Sequence, residues 1–477
     1  MIHSCLCVAA PRNLAANVEI IRVKKEINNI NMKHLFATFL FLCAFCVNLS
    51  AQDNDSISEC VAVETSLNDA RKLKADGKYE DALAMLVNVH DDPQYSSCPL
   101  MKELEQVLVE VTMKMAEQGD VQAQCRLGEY FYLGQGVTQD YGQAVEWWRN
   151  AAEQGFAQAQ NNLGTCYSKG LGVPQDFAQA MEWYRKAAEQ GHDEAQYYLG
   201  LCYDNGVGVA KDIVQAVEWY HKAADQGYAK AQNNLGLCYL KGTDADYDKA
   251  VEWFGRAAEN GNVSAQYNLA NCYEYGRGVP KDNALAVEWY RKAAENGNVA
   301  AQRQLGICYE DGMGVSQNYA KAAEWYRKAA EQGDAASQCN LGLCFFHGQG
   351  IQKNYKQAVA WFRKAADQGH AVAQCNLGLC YYLGQGVTQD YKLAVEWFGK
   401  AAEQDDDQAL HNLGVCYEEG LGVTKSIAKA RVYYTEAAEK GHPGSQKNLD
   451  RLNNTTPNIP VQNKTVPPKN KKKSRRK

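Results

Sequence analysis

The chain is poor in the motifs from which catalytic centres are built. It contains no HExxH, no P-loop, no paired CxxC and no nucleophile elbow. Each of those chemistries needs particular side chains at fixed spacing: two imidazoles a helical turn apart for zinc, backbone amides and a lysine for phosphate, a tight serine-bearing turn for acyl transfer. Histidine is sparse, nine in 477 residues, and His192, His221, His347, His370, His411 and His442 follow no ligand spacing. No metal, no cofactor and no catalytic residue is therefore expected. Proline is also scarce: of ten, Pro457, Pro460, Pro467 and Pro468 sit in the last 25 residues, so the body of the chain is compatible with long helices. Long apolar runs are absent apart from Leu35 to Val47, which is too short and wrongly flanked to span a bilayer.

That single run has a meaning of its own. Residues 32–51 read MKHLFATFLFLCAFCVNLSA, with Lys33 and His34 as a basic start and Ser50 and Ala51 as small residues before Gln52. The pattern predicts a secretory signal peptide cleaved after Ala51, and so a periplasmic or extracellular bacterial protein. Because 31 residues precede it, Met32 is the expected start, and residues 1–31 the expected upstream extension of an over-long reading frame. Should residues 32–51 not direct export, the reading becomes an intracellular adaptor.

What fills the chain is a repeat. Ala159 to Glu194 reads AQNNLGTCYSKGLGVPQDFAQAMEWYRKAAEQGHDE, and copies open at Ala123, Ala195, Ala231, Ala265, Ala301, Ser337, Ala373 and Ala409. The spacing is 36 residues except in the copy from Ala231, which is two shorter. Nine copies thus occupy 121–444. A fixed period of this length marks a solenoid, which grows one unit at a time with neighbour contacts only. Within a copy, Ala159, Leu163 and Tyr167 lie on or near one side of a first helix. Gly164 stands mid-helix at a cost of about 1 kcal/mol. The same cost recurs at Gly128, Gly200, Gly236, Gly306, Gly342, Gly378 and Gly414, which predicts close approach of the partner helix. Gly170, Gly172 and Val173 turn the chain, and Asp176 can cap a second helix. Ala180, Trp183, Tyr184, Ala187 and Ala188 form its apolar stripe, and Gly191 ends it with a left-handed residue. All nine tryptophans fall inside the copies and are read as core.

The pattern A-x-x-x-L-G-x-x-Y-x-x-G-x-G-V-x-x-D-x-x-x-A-x-x-W-Y-x-K-A-A-E-x-G closely resembles the Sel1-like repeat, a relative of the tetratricopeptide repeat. The resemblance implies an all-α fold, an α/α superhelical solenoid, used as a scaffold for protein–protein contacts. It implies no enzyme and names no partner. Some secreted relatives bridge each repeat with two cysteines flanking the inter-repeat turn. This chain departs from that arrangement, so those bridges do not transfer to it.

Cys166, Cys202, Cys238, Cys272, Cys308, Cys344, Cys380 and Cys416 share one position, just before the repeat tyrosine. Neighbouring helices would hold them about 9–10 Å apart, beyond the ~7 Å limit for a disulfide, so they are read as small core residues. Cys60 and Cys98 lie outside the array and could pair. Residues 52–120 resemble degenerate tetratricopeptide hairpins and are expected to cap the amino end, with Leu104, Val107, Val111 and Met115 along one helix face. Residues 445–452 begin a tenth unit, with Asp450 where the packing glycine should stand, and are expected to be a closing helix. Residues 453–477 carry eight basic residues and no acid, and are expected to be disordered. Subtracting that +8 from the overall −6 leaves −14 for residues 1–452. An acidic array thus carries a basic tail, which could touch anionic polymer, membrane surface or nucleic acid, though nothing points to specific nucleic-acid recognition.

By analogy with tetratricopeptide arrays, the first helices would line a concave face. Counting the opening Ala as one, positions three, seven and ten are related as i, i+4 and i+7, on a side that the repeat pattern leaves free. The partner-binding residues expected there are Tyr132, Tyr197, Asp204, Tyr267, Glu274, Arg303, Glu310, Phe346, Tyr382 and Glu418, with Ser168, Leu240 and His411 in the same positions. Aromatics mixed with carboxylates suit an extended or helical protein segment carrying basic residues. The alternative is an envelope hydrolase, because Ser426 and Lys429 match the S-x-x-K of penicillin-recognising enzymes. The match discriminates little: no K-T-G follows, Gln179, Lys249, Lys321 and Gln357 share the position of Lys429, and Ser474 and Lys477 match equally well. The first testable expectation concerns export. Amino-terminal sequencing of the native protein should read from Gln52, and a chain beginning at Met1 would contradict both the leader and the compartment.

Overall fold

A computed structural model describes residues 54–241 and 245–455. The leader and upstream extension, Gly242 to Asp244 of the shortened turn, and residues 456–477 of the tail lie outside the described residues. The described residues form twenty-two α-helices and one 3-10 turn, Pro93–Tyr95, with no strand among them. The fold is an all-α solenoid of stacked helical hairpins, in two compact units that divide between Ala187 and Ala188.

The first unit opens with α1 (Asn54–Ala75), α2 (Tyr79–His90) and α3 (Met101–Glu117). Leu104, Val107, Val111 and Met115 bury the predicted side of α3 against Val63, Leu67, Ala82 and Leu86. Cys60 and Cys98 are joined by a disulfide, Cα atoms 5.5 Å apart, tying α1 to the segment before α3. The array follows with Val121–Leu133 and Tyr141–Glu153. In the second unit the hairpins run from Asp193–Asn205 with Ile213–Asp225 to Asp407–Glu419 with Ile427–Glu439, and Pro443–Thr455 is the last described helix, closing the array. The closing helix is longer than the expected 445–452; Ser445 and Leu452 are buried, and Asp450 is exposed.

One hairpin shows the local logic. Asn298 caps Val299–Asp311 by accepting from Ala301 N–H at 2.8 Å, and Gly312 ends it in the left-handed region at φ 71°. Asn318 caps Tyr319–Glu331 by accepting from Lys321 N–H at 3.0 Å. These caps satisfy amides that the helix itself leaves orphaned. Ala301, Leu305, Tyr326 and Ala329 are fully buried. The mid-helix glycine has the predicted role, and what approaches it is a ring. A Cβ on Gly306 would lie 2.5 Å from Tyr326, one on Gly164 2.8 Å from Tyr184, and one on Gly378 2.7 Å from Phe398. The fifth repeat carries Ala270 there, buried in the same cluster as Tyr290. The second turn glycine sets the stacking register: a Cβ on Gly314 would sit 2.1 Å from the Asn283 carbonyl of the preceding repeat.

Two features depart from the sequence reading. The tryptophan position lies at the edge of the core in most repeats. Trp148, Trp253 and Trp325 are buried, whereas Trp147, Trp183, Trp219, Trp289, Trp361 and Trp397 are half-exposed. The next residue fills the core instead: Tyr184, Tyr220, Phe254, Tyr290, Tyr326, Phe362, Phe398 and Tyr434. Trp289 leans on the neighbouring clusters and shows one ring face to Lys292, whose ammonium lies 3.9 Å above it. The second departure is a glutamine ladder at position two, which the pattern above left unassigned. Buried Gln302 donates to the Ala294 carbonyl at 3.0 Å and accepts from Gln332 at 2.8 Å. Gln196, Gln232, Gln338 and Gln374 repeat the arrangement in the second unit. Each satisfies a carbonyl at the end of the preceding helix. It follows that Tyr290→Ala should cost about 3–5 kcal/mol and Trp289→Ala measurably less. Urea denaturation of the two variants checks this, and a larger loss for Trp289→Ala would restore the tryptophan to the core.

Candidate protein-binding face

Position ten lies one turn after the mid-helix glycine, so its side chain reaches the rim of the aromatic ring packed on that glycine. Its identity follows that ring. Glu274, Glu310 and Glu418 stand beside tyrosines and accept from Tyr290, Tyr326 and Tyr434 hydroxyls respectively. Leu240, Phe346 and Tyr382 stand beside Phe254, Phe362 and Phe398; the last two pairs have ring centroids 6.3 and 6.5 Å apart. In the first unit Tyr132 lies 5.4 Å from Trp148, and Thr165 and Ser168 offer hydroxyls to Tyr184 at 3.1 and 3.4 Å. A polar residue thus meets a hydroxylated ring and an apolar one meets Phe or Trp, because an unmatched buried O–H costs about 1–3 kcal/mol. Burial first, then the hydrogen bond to Glu274, pushes the Tyr290 phenol far above its ordinary range; Tyr326 behaves alike beside Glu310. Both phenols therefore stay neutral and donate.

Asp204 differs from the glutamates. Its carboxylate is largely covered and faces Lys241 at 3.5 Å and Lys211 at 4.0 Å. Glu274 also accepts from Gln304 of the following repeat, 3.2 Å from both oxygens. Arg303 does not join the carboxylates of position ten; it pairs at 2.6 Å with Asp334, the cap of the next first helix. Tyr197 packs on Tyr220 and Tyr228 at 6.0 and 5.2 Å, and Tyr267 on Tyr290 at 5.8 Å. His411 stacks on His442 at 4.2 Å. Tyr197, Tyr267, Glu274, Glu310, Phe346 and Tyr382 are half-buried, whereas Glu418 is buried and shared with Arg451. Tyr132 belongs to the first unit and the other nine expected residues to the second.

The S-x-x-K match resolves as a helix cap. Ser426 Oγ accepts from Lys429 N–H at 3.3 Å, as Asp and Asn do at this place in other repeats, and Lys429 Nζ lies 4.9 Å over the Tyr417 ring. The repeat thus accounts for both residues through capping and packing. The repeat cysteines are unbonded, and burial pushes the Cys308 thiol up to about 12 and the Cys166 thiol up to about 11. A raised thiol is the opposite of an activated one, and the position is one of packing. Among the described residues no group of three or more His, Cys, Asp or Glu could hold a metal ion, and no helix is long and apolar enough to cross a membrane.

The hairpin geometry, the turn glycines and the glutamine ladder define a class, the α-helical repeat solenoid. Nine consecutive Sel1 repeats match the chain, at 121–156, 157–192, 193–228, 229–262, 263–298, 299–334, 335–370, 371–406 and 407–442. The chain belongs to the Sel1 repeat family. It is similar to c5321 of uropathogenic Escherichia coli, a protective antigen displaying an SLR fold, at 33% identity, over 82% of this chain and 91% of that one, with a TM-score of 0.52. It is similar also to a Sel1 repeat protein from Oxalobacter formigenes, at 35% identity over 63% and 88% of the two chains, with a TM-score of 0.50. No curated protein matches it. The coupling of position ten to its ring gives a direct check. Tyr326→Phe should cost about 1–2 kcal/mol, and Tyr326→Phe with Glu310→Phe should recover part of that loss. A double-mutant cycle in denaturant reads the coupling, and strict additivity would contradict it.

Proposed function

We propose that this protein is an exported, non-enzymatic scaffold that binds a protein segment carrying basic residues through the first-helix face of its second unit. The supporting observation is preorganisation. Glu274 and Glu310 are half-exposed carboxylates oriented from behind by buried tyrosine hydroxyls, with Tyr267 beside the former and Phe346 and Tyr382 further along. Fixed charges and rings lose little entropy on binding, and aromatic anchors with charges at their rim suit an extended or helical segment. Membership of a family of helical solenoids supports the scaffold role. Export rests on the leader pattern of residues 32–51, and the Cys60–Cys98 disulfide supports it, since such bonds persist in oxidising compartments. The concave placement of the first helices remains the analogy with tetratricopeptide arrays.

The test must spare the fold. Glu274→Gln and Glu310→Gln with Asp204→Asn remove three charges while leaving an acceptor for each neighbouring donor. Binding of the partner recovered with the mature chain as bait should weaken at least tenfold, with a shallower salt dependence. Unchanged affinity and salt dependence in the folded variant would move the site to the second helices or the tail.

A further inference from the structure

We propose that the stacked His411–His442 pair is a pH-sensitive latch that holds the closing helix, Pro443–Thr455, on the last full repeat at neutral pH and releases it in acid. The inference is independent of the binding face. The two rings lie 4.2 Å apart, 23° from parallel, and one hydroxyl joins them: Ser445 Oγ is 2.8 Å from His411 Nδ1 and 3.1 Å from His442 Nδ1. His442 Nε2 lies 3.3 Å from the Gln408 amide oxygen, an acceptor only. These partners fix every proton. His442 must carry its hydrogen on Nε2, so its Nδ1 accepts from Ser445; the Ser445 oxygen then accepts from His411 Nδ1–H. The chain requires a neutral His442 and an N–H on His411 Nδ1. Protonating His442 puts N–H against O–H, and Ser445, fully buried, then has to turn its own proton elsewhere. Protonating His411 puts a cation on the face of a second imidazole.

Nothing nearby compensates that charge. From Asp407–Glu419 the pair meets Gln408 and, two turns on, Glu418, whose carboxylate already serves Tyr434 and Arg451. From Ile427–Glu439 it meets the neutral Tyr434 ring, 5.4 Å from His411, and from the closing helix Ser445. Lys440, on the turn between, is paired with Asp405. Among the described residues neither imidazole is paired with a carboxylate. Gly444 keeps the stack possible, since a Cβ there would lie 3.3 Å from the His411 ring and 3.2 Å from that of His442. The helix is held besides by Leu452 and Leu449 on Tyr434 and Ala430, Arg431 on the Leu452 carbonyl at 2.8 Å, and Arg451 on Glu418.

The sign follows from burial. Burial first, then the charge on His442, lowers His411 to about 4, whereas a released His411 titrates at about 6.5. Docking is at full strength above 6.5 and is lost as pH falls toward 4, a roughly 70-fold weakening between pH 7.5 and 4.5. Hydrogen exchange on the full chain reads this. After correction for intrinsic rates, protection of the amides from Gln446 to Leu452 should fall by about that factor, while Val299–Asp311 keeps its protection. In His411→Gln, which can still donate to Ser445 but does not titrate, the fall should shrink to under about threefold. Wild-type protection independent of pH, or an undiminished fall in the variant, would overturn the latch. If His411→Gln leaves the helix unprotected at pH 7.5, the His411 titration in the wild-type protein decides by NMR. A midpoint below about 5 is expected, and one at or above 6.5 overturns it.

Discussion

The structure depends on one contact repeated along the chain: an aromatic ring laid on a residue that has no side chain. A Cβ at Gly128, Gly200, Gly236, Gly342 or Gly414 would fall 2.5–2.7 Å from the ring opposite. The contact brings the two helices of a hairpin together, and from it follow the burial of Leu and Ala on either side and the position of the ring's outer edge. The methyl of Ala270 is the largest group found there within a full hairpin. Glycine costs about 1 kcal/mol in each first helix, and burial of a whole ring, worth about 1.5–3 kcal/mol, more than offsets it.

Because the ring is fixed, whatever touches its rim is fixed too, and here fold passes into function. A tyrosine hydroxyl that emerges at the rim needs an acceptor, and position ten supplies it from the free side of the first helix. The carboxylates that make that side acidic are therefore part of the packing and part of the surface together. Their orientation follows from a buried donor, so these charges are held in place by the fold itself. Asp204 and Arg303 are held otherwise, by lysines and by a helix cap, and a partner would have to displace those pairs.

Much of this was legible in the sequence. The period, the hairpin, the capping Asp and the turn glycines follow from spacing and backbone chemistry, and the mid-helix glycine could be assigned to a close approach from its cost alone. That Trp289 sits at the edge of the core and Tyr290 at its centre was not legible. Two adjacent aromatics on a helix lie about 100° apart, and which one meets the glycine depends on the crossing of the helices. The glutamine ladder carried a signal that went unread: Gln196, Gln232, Gln302, Gln338 and Gln374 hold one position in repeat after repeat. So did position ten, whose variation looks free until each residue is set beside its own ring sixteen residues on. The stack of His411 on His442 pairs positions three and thirty-four of one repeat, as Tyr197 with Tyr228 and Arg303 with Asp334 do, but the residues differ in each case and so gave no common signal.

The proposed binding uses the first helices of the second unit. Hydrogen exchange of the chain with and without its captured partner tests this most directly. It predicts new protection concentrated in Asp193–Asn205, Val263–Tyr275, Val299–Asp311 and Ala335–His347. Protection confined to the second helices, or absent from the array altogether, would contradict it.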